Sequence, residues 1–331
     1  MSTLVCDICP HACKLEEGKT GFCGVRANVG GENRDALYRL CYFGPEFRKM
    51  QGDPAGQRFF RGFYPILTPG CNIQCSFCFL PFVSRRWNLA LFQPVPEEQL
   101  AAMASDGVLL WFGGEPTLHH EYVLRASQVS RERGGFVSLY TNGYLNSSVL
   151  EPLFRAVDKV SIGVKASGSG YTSDVDFDII LQSIRTAWRS NGNVWVRNTV
   201  GPSLLPCAED NTRFAGWLRE NVDPGIMVVV EPEVQPKDYA PHPVTEGSLP
   251  PPGDESPWTP FWRCKVVADS FAKSGLENVW IVEYTHMGMM RQLHIPSFTC
   301  ATPRRYPRRY SDLPKPWTRR DMWLASIAAW S

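Results

Sequence analysis

The sequence predicts an α/β protein: a full or partial (β/α) barrel with a small N-terminal cysteine-rich metal-binding module. Three observations carry that expectation. From residue 61 onward, short apolar runs alternate with longer amphipathic ones, the pattern of buried parallel strands covered by helices. Residues 1–30 are instead rich in Cys and Gly and show no regular hydrophobic period, which suits a module held by ligands more than by a core. The chain has 331 residues, 44% hydrophobic and 20% charged, enough for one large α/β domain with small additions or for two modest domains.

The expected strands are Tyr64–Thr68, Val108–Phe112, Phe136–Thr141, Lys159–Val164, Val194–Val200, Ile226–Glu231 and Val279–Tyr284. The helices expected between them are Glu97–Ser105, Tyr122–Arg133, Ser148–Val157, Phe177–Ser190 and Asn211–Asn221. In a barrel of such units, functional residues sit where strands end. The expected division is a module and connector over 1–60, a barrel over 61–300 and a basic, Pro-rich extension with a short helix over 301–331. Gly52-Asp53-Pro54 reads as a turn in the connector. Between Pro232 and Pro260 the chain is Pro-rich, either a lid over the barrel mouth or a flexible linker. Thr318–Trp330 has the apolar stripe of a last amphipathic helix, a packing feature.

Charge and cysteine usage exclude several classes. A net charge of +1 gives the whole molecule no electrostatic case for nucleic acid. Seven Arg or Lys residues between Arg304 and Arg320 face one acid, Asp312. They read as a solvated tail, with a docking surface for an anionic substrate or partner as the alternative. The N-terminus lacks the pattern of a signal peptide, and no apolar stretch reaches membrane-spanning length, so a cytoplasmic protein without a membrane partner is expected. Eleven cysteines, an odd count at ligand-like spacings, point to metal binding over disulfides.

The first strand runs into Thr68-Pro-Gly-Cys71-Asn-Ile-Gln-Cys75-Ser-Phe-Cys78-Phe79, a C-x3-C-x2-C spacing. Three thiolates on one tight loop suit three irons of a [4Fe-4S] cube, and the fourth iron is left for the amino and carboxylate groups of a cofactor. A zinc site or an ordinary ferredoxin-like cluster is the competing chemistry, but zinc wants four closed ligands and no fourth Cys lies nearby in the sequence. The loop resembles that of the radical S-adenosylmethionine (SAM) superfamily. The resemblance implies a cluster on Cys71, Cys75 and Cys78 that passes an electron into SAM, and a barrel of the radical SAM type.

Later strand ends extend the resemblance. The second strand ends in Gly113-Gly114-Glu115-Pro116, where two glycines permit close backbone approach and the Glu offers an acceptor for an amine. In radical SAM enzymes this motif binds the SAM amino group, and the resemblance implies that role for Gly113, Gly114 and Glu115. The third strand ends in Tyr140-Thr141-Asn142-Gly143, similar to sequences near the cofactor in relatives of pyruvate formate-lyase activating enzymes, although an Asn-Gly turn without a ligand is also consistent. Activating-enzyme relatives carry Asp-x-Lys on the fourth strand. This chain keeps Lys165, with Gly163 in place of the Asp. Arg197 and Asn198 form an expected rim pair for SAM or substrate, and Glu231 is a candidate substrate contact.

The N-terminus reads Cys6-x2-Cys9-Pro-His11-Ala-Cys13-x9-Cys23-Gly-Val-Arg. Four close thiolates suit one tetrahedral Zn or Fe, or an auxiliary cluster, with His11 behind them or, as the alternative, in place of one. The wording is similar to the AmmeMemoRadiSam / PflX-like group of radical SAM proteins. Gly275–Ile281 also resembles that group's last strand, but only Cys300 stands where members carry a pair of cysteines, and His286–Arg291 matches nothing in the group. Cys207, Cys264 and Cys300 read as buried small hydrophobes, with a substrate-binding or hydrogen-donating thiol at the active site as the alternative for one of them. Cys41 reads as structural, and His119-His120 as capping or surface residues, with an approach to the site as the alternative.

Together these features predict a radical SAM enzyme that modifies a small molecule or peptide in biosynthesis, with an electron donor such as flavodoxin or ferredoxin. An activase that installs a glycyl radical on a partner protein, transfer of a methyl or aminocarboxypropyl group, and a non-catalytic metal-binding module are the alternatives.

Overall fold

A computed structural model describes residues 3–42, 63–78, 80–85, 89–105, 107–201, 204, 206–232, 260–284 and 300–305. The expected connector turn at residues 52–54, the Pro-rich loop, the terminal helix and residues 286–291 lie outside the described residues.

The chain forms two compact units, Met1–Gly163 with Thr172–Val194, and Val164–Tyr171 with Trp195–Ser331. In the first, β1 (Leu4–Val5) pairs antiparallel with β2 (Lys14–Leu15), and β3 (Arg26–Val29) with β4 (Glu32–Asp35). The turn between β3 and β4 uses Gly30 and Gly31, both at positive φ. β5 (Leu40–Cys41) pairs with β7 (Gln93–Pro94). The expected parallel strands follow as β6 (Phe63–Leu67), β8 (Val108–Phe112), β9 (Phe136–Thr141) and β10 (Lys159–Lys165). β6 pairs with β8, β8 with β9 and β9 with β10, all parallel.

All five residues of β8 are buried, as its uninterrupted apolar run requires. The short α1 (Pro81–Ser84) precedes four longer helices: α2 (Glu97–Met103), α3 (His120–Glu132), α4 (Ser147–Ala156) and α5 (Phe177–Ser190). The core between strands and helices includes Leu109, Trp111, Val123, Val137, Leu139, Leu150 and Phe154. The buried indole of Trp111 donates to Ser127 Oγ at 2.9 Å, so its polar atom is satisfied.

In the second unit β11 (Val194–Val200), β12 (Met227–Pro232) and β13 (Val279–Tyr284) run parallel, and β14 (Cys300–Arg305) closes antiparallel on β13. Helices α6 (Ala208–Asn221) and α7 (Pro260–Lys273) touch through an edge-to-face pair of Phe214 and Phe271, centroids 5.9 Å apart.

Four parallel strands in the first unit and three in the second, each set interleaved with helices, give the expected α/β architecture. Helix α7, strand β14 and the N-terminal hairpins are additions to the expectation. Cys264 is buried on α7 as anticipated, but Cys207 is exposed and caps α6 by accepting from Asp210 N–H. Among the described residues no helix is long and apolar enough to cross a membrane.

Candidate active site

The three-cysteine loop leaves β6 at Thr68 and is fixed by glycines. Gly70 has φ +82°, and a Cβ there would lie 2.3 Å from Val25 Cγ2 and 2.7 Å from the Cys23 carbonyl. Only glycine lets this loop lie against the N-terminal segment. A Cβ on Gly114 would meet the carbonyls of Gly70 at 2.2 Å and Thr68 at 2.5 Å, so the Gly-Gly-Glu-Pro turn packs on the loop backbone to backbone. Glu115 N–H seals the contact by donating to the Gly70 carbonyl at 2.8 Å.

Cys71 is buried, whereas Cys75 and Cys78 are half-buried. Burial first, then the nearby charges of Glu115 and Cys75, push the Cys71 thiol well above the ordinary range. The Ile73 N–H opposes this shift and Cys78 adds to it. The thiol donates to Ile73 O at 3.1 Å, and Cys78 Sγ lies 3.2 Å from Ser84 Oγ. The buried Thr68 hydroxyl at the head of the loop lacks a hydrogen-bond partner among the described residues. Three thiols that feel one another on one loop, beside an orphaned hydroxyl, suit a cluster with a polar ligand. Among the described residues no three His, Cys, Asp or Glu side chains are already gathered about one point as an ion would need.

The predicted cofactor contacts around this loop are tied into the protein. Glu115 is buried, and its Oε1 accepts from Thr117 N–H at 3.1 Å, Thr117 Oγ1 at 2.6 Å and Thr141 Oγ1 at 2.7 Å. Its Oε2 accepts from Asn142 N–H at 2.7 Å. The carboxylate expected to accept a cofactor amine is therefore engaged in an internal knot joining two strand ends. Asn142 Nδ2 donates to Asn72 Oδ1 at 2.8 Å and stands 3.8 Å from Cys71 Sγ, and its Oδ1 accepts from Tyr144 N–H at 2.8 Å.

Two histidines reach the same loop. His11 Nε2 donates to the Asn72 carbonyl at 2.8 Å. His119 is fully buried: Nε2 donates to the Pro69 carbonyl at 2.9 Å and Nδ1 meets Asp35 Oδ2 at 2.8 Å. It stands at the N-cap position of α3 but makes no side-chain capping bond, and instead of lying at the surface it reaches the three-cysteine loop. No local pattern in the sequence signals a pair separated by 84 residues.

The four N-terminal cysteines sit within one another's fields. Burial, opposed by the His11 backbone N–H and reinforced by Cys23, Cys6 and Cys13, pushes the Cys9 thiol up to about 12. Burial likewise raises Cys23.

In the second unit Lys165 Nζ donates to Thr199 Oγ1 at 3.3 Å, and Thr199 Oγ1 donates to Glu231 Oε1 at 3.0 Å. Arg197 and Glu231 form a fully buried ion pair through Nε, at 2.9 Å from Oε2, and through Nη2. Register places Thr199 opposite Glu231 on neighbouring strands, and the pair runs diagonally across that face. Glu231 is an internal counter-ion to Arg197, a correction to its reading as a substrate contact. Asn198 accepts from Ser167 N–H at 2.8 Å and so supports Ala166 and Ser167, both at positive φ.

Over residues 65–206 the chain matches the Radical SAM superfamily. An uncharacterized protein of Methanocaldococcus jannaschii is 26% identical over 235 residues, covering 66% of each chain. The pyruvate formate-lyase-activating enzyme of Clostridium pasteurianum is 24% identical over 169 residues, 46% of this chain and 68% of that one. The chain thus spans about two thirds of the length of both relatives. A solved domain of pyruvate-formate lyase-activating enzyme from Bacteroides vulgatus covers 53% of this chain and 98% of that one, with 14% identity and a TM-score of 0.39.

Proposed function

We propose that this chain, whose residues 65–206 match the Radical SAM superfamily, is a radical SAM enzyme that cleaves SAM reductively to modify a small-molecule or peptide substrate. Membership implies a [4Fe-4S] cluster and SAM. When bound, they supply an electron and, from SAM, a carbon radical. Cys71, Cys75 and Cys78 would hold the cluster. The Gly113-Gly114 backbone and Asn142 would meet SAM in the first unit, with Glu115 fixing both. Within the second unit by itself, Lys165, Arg197 and Asn198 are the residues proposed to meet SAM or substrate. The observation that carries this reading is the backbone contact of Gly114 on the three-thiol loop, because it leaves no room for a side chain between the turn and the loop whose thiols would hold the cluster.

Substrate identity belongs to the same proposal, as do a flavodoxin or ferredoxin as electron donor and a zinc, a single iron or an auxiliary cluster on Cys6, Cys9, Cys13 and Cys23. The mutual proximity of the four thiols supports the last point, since bound metal would relieve the repulsion that their thiolates would otherwise feel. The similarity to a pyruvate formate-lyase-activating enzyme favours a second reading, a glycyl radical installed on a partner protein.

Anaerobic reconstitution followed by SAM and dithionite tests the reading. Formation of 5′-deoxyadenosine supports it, methylthioadenosine indicates aminocarboxypropyl transfer, and no SAM turnover leaves a metal-binding module. A glycyl-radical doublet by electron paramagnetic resonance, on mixing with a glycyl-radical enzyme, would replace the small-substrate reading with the activase.

A further inference from the structure

We propose that the N-terminal cysteine segment is a clamp on the cluster loop, with His11 and His119 as its positioning residues. The inference rests on the reading of Cys71, Cys75 and Cys78 as cluster ligands. Three backbone carbonyls flanking Cys71 are each held from outside the loop. Pro69 O takes His119 Nε2 at 2.9 Å, Gly70 O takes Glu115 N–H at 2.8 Å, and Asn72 O takes His11 Nε2 at 2.8 Å.

Both histidines are themselves anchored in the N-terminal segment. His119 is tied to Asp35 on β4, whose other oxygen accepts from Leu37 N–H at 2.8 Å. His11 belongs to the segment, directly after Cys9-Pro10, and packs its ring on Phe22 and Tyr144 at centroid distances of 4.6 and 5.5 Å. Gly70 lies flat against Cys23 and Val25, so the segment backs the loop along its length. Arg26, two-pronged on Glu121 at 2.8 and 2.9 Å, fixes β3 to α3 beside it.

The chemical consequence follows from peptide dipoles. Carbonyls pulled outward turn the following N–H groups inward, and Ile73 N–H already points at Cys71 Sγ at 3.4 Å. Hydrogen bonds to cluster sulfur and exclusion of solvent are two of the quantities that set a cluster's reduction potential. The clamp therefore keeps Cys71 buried and its N–H contact in place.

The test separates the donor from the bulk of the ring. His11→Leu removes the N–H donor and His11→Gln retains one. In iron-free protein, Cys71 alkylation by iodoacetamide, followed by peptide mass spectrometry, should quicken about fivefold in His11→Leu, the factor that losing one hydrogen bond of ~1 kcal/mol implies. His11→Gln should stay near wild type. In reconstituted protein His11→Leu should shift the reduction potential and the resonance spectrum of the cluster, while His11→Gln should not. Unchanged alkylation and spectra in His11→Leu overturn the proposal, and so do equal effects of Leu and Gln. Should His11→Leu not fold, His119→Leu, which removes the N–H donor to Pro69 O, carries the same alkylation measurement, with acceleration expected and wild-type kinetics overturning the clamp. Because alkylation is read without iron, a chain that loads no cluster at all refutes the cluster assignment and leaves the clamp to be decided separately.

Discussion

Glu115 takes four hydrogen bonds on one buried carboxylate, and that saturation defines its work. Replacement by Gln sets an amide N–H2 against at least one of those donors whichever way it turns. Glu115→Gln should therefore destabilise the iron-free protein by about 1–3 kcal/mol, read as a lowered midpoint in thermal unfolding. An unchanged midpoint would mean the knot holds nothing together. His119 gives a pH signature. Burial disfavours its charged form, but the Asp35 carboxylate and the Pro69 carbonyl outweigh burial, so its pKa stands above the ordinary 6.5. A raised folded-state pKa contributes stability that is complete below 6.5 and lost as pH climbs through the folded value. Thermal midpoints of the iron-free protein should show that alkaline loss in wild type and not in His119→Gln; parallel profiles would count against it. Cys75→Ala should abolish 5′-deoxyadenosine formation and reduce bound iron. The cysteines and the glycine motif were legible because chemistry demands those residue types at those spacings. The partners of His119 and Glu115 were not, because a pairing across the fold leaves no local pattern.

Elements were legible wherever burial imposed a period. β8, β9, β11, β13 and α5 fall on the residues that their apolar patterns mark. The N-terminal hairpins were missed because strands of two and four residues are too short for an alternation to show. Helix α7 was missed because it begins at Pro260, where a Pro-rich stretch ends and composition argues for a loop. Packing between elements predicts opposite outcomes for two glycines. Gly114→Ala drives a methyl into the Gly70 and Thr68 carbonyls and should part the turn from the loop, with lower stability and lower iron retention. Gly216→Ala, inside α6 with nothing within 4 Å of the added methyl, should stabilise by about 0.5–1 kcal/mol. Unfolding curves of the two variants beside wild type decide the matter, and a stabilised Gly114→Ala would contradict the close contact. Within the second unit, Arg197→Ala strands the buried Glu231 and should cost about 3–5 kcal/mol in the same assay.

At the scale of the whole chain, the path taken between units matters more than the order of motifs. The sequence divides naturally at a cysteine-rich module and a barrel, but the chain leaves the first unit after Gly163, re-enters it at Thr172 and leaves again after Val194. What it carries back is α5, which the alternating strand and helix pattern locates but cannot assign to one body. Ile180, Leu181, Ile184 and Ala187 on that helix are buried, and Ser183 Oγ donates to the Gly143 carbonyl at 2.6 Å. Asn191 Nδ2 donates to the carbonyls of Phe154 and Val157 at 2.8 and 2.7 Å, closing the end of α4. Each Ile or Leu buried there contributes roughly 1.5–3 kcal/mol, several times what a single hydrogen bond adds, so the first unit depends on a segment that follows its fourth parallel strand. A chain ended at residue 163 should therefore lack a cooperative thermal transition and expose apolar surface to a hydrophobic dye. A chain ended at residue 194 should melt cooperatively and protect the amides of β8 and β9 from hydrogen exchange. If the shorter chain melts as sharply as the longer one, the first unit holds itself together without α5, and the returning helix is only a cover.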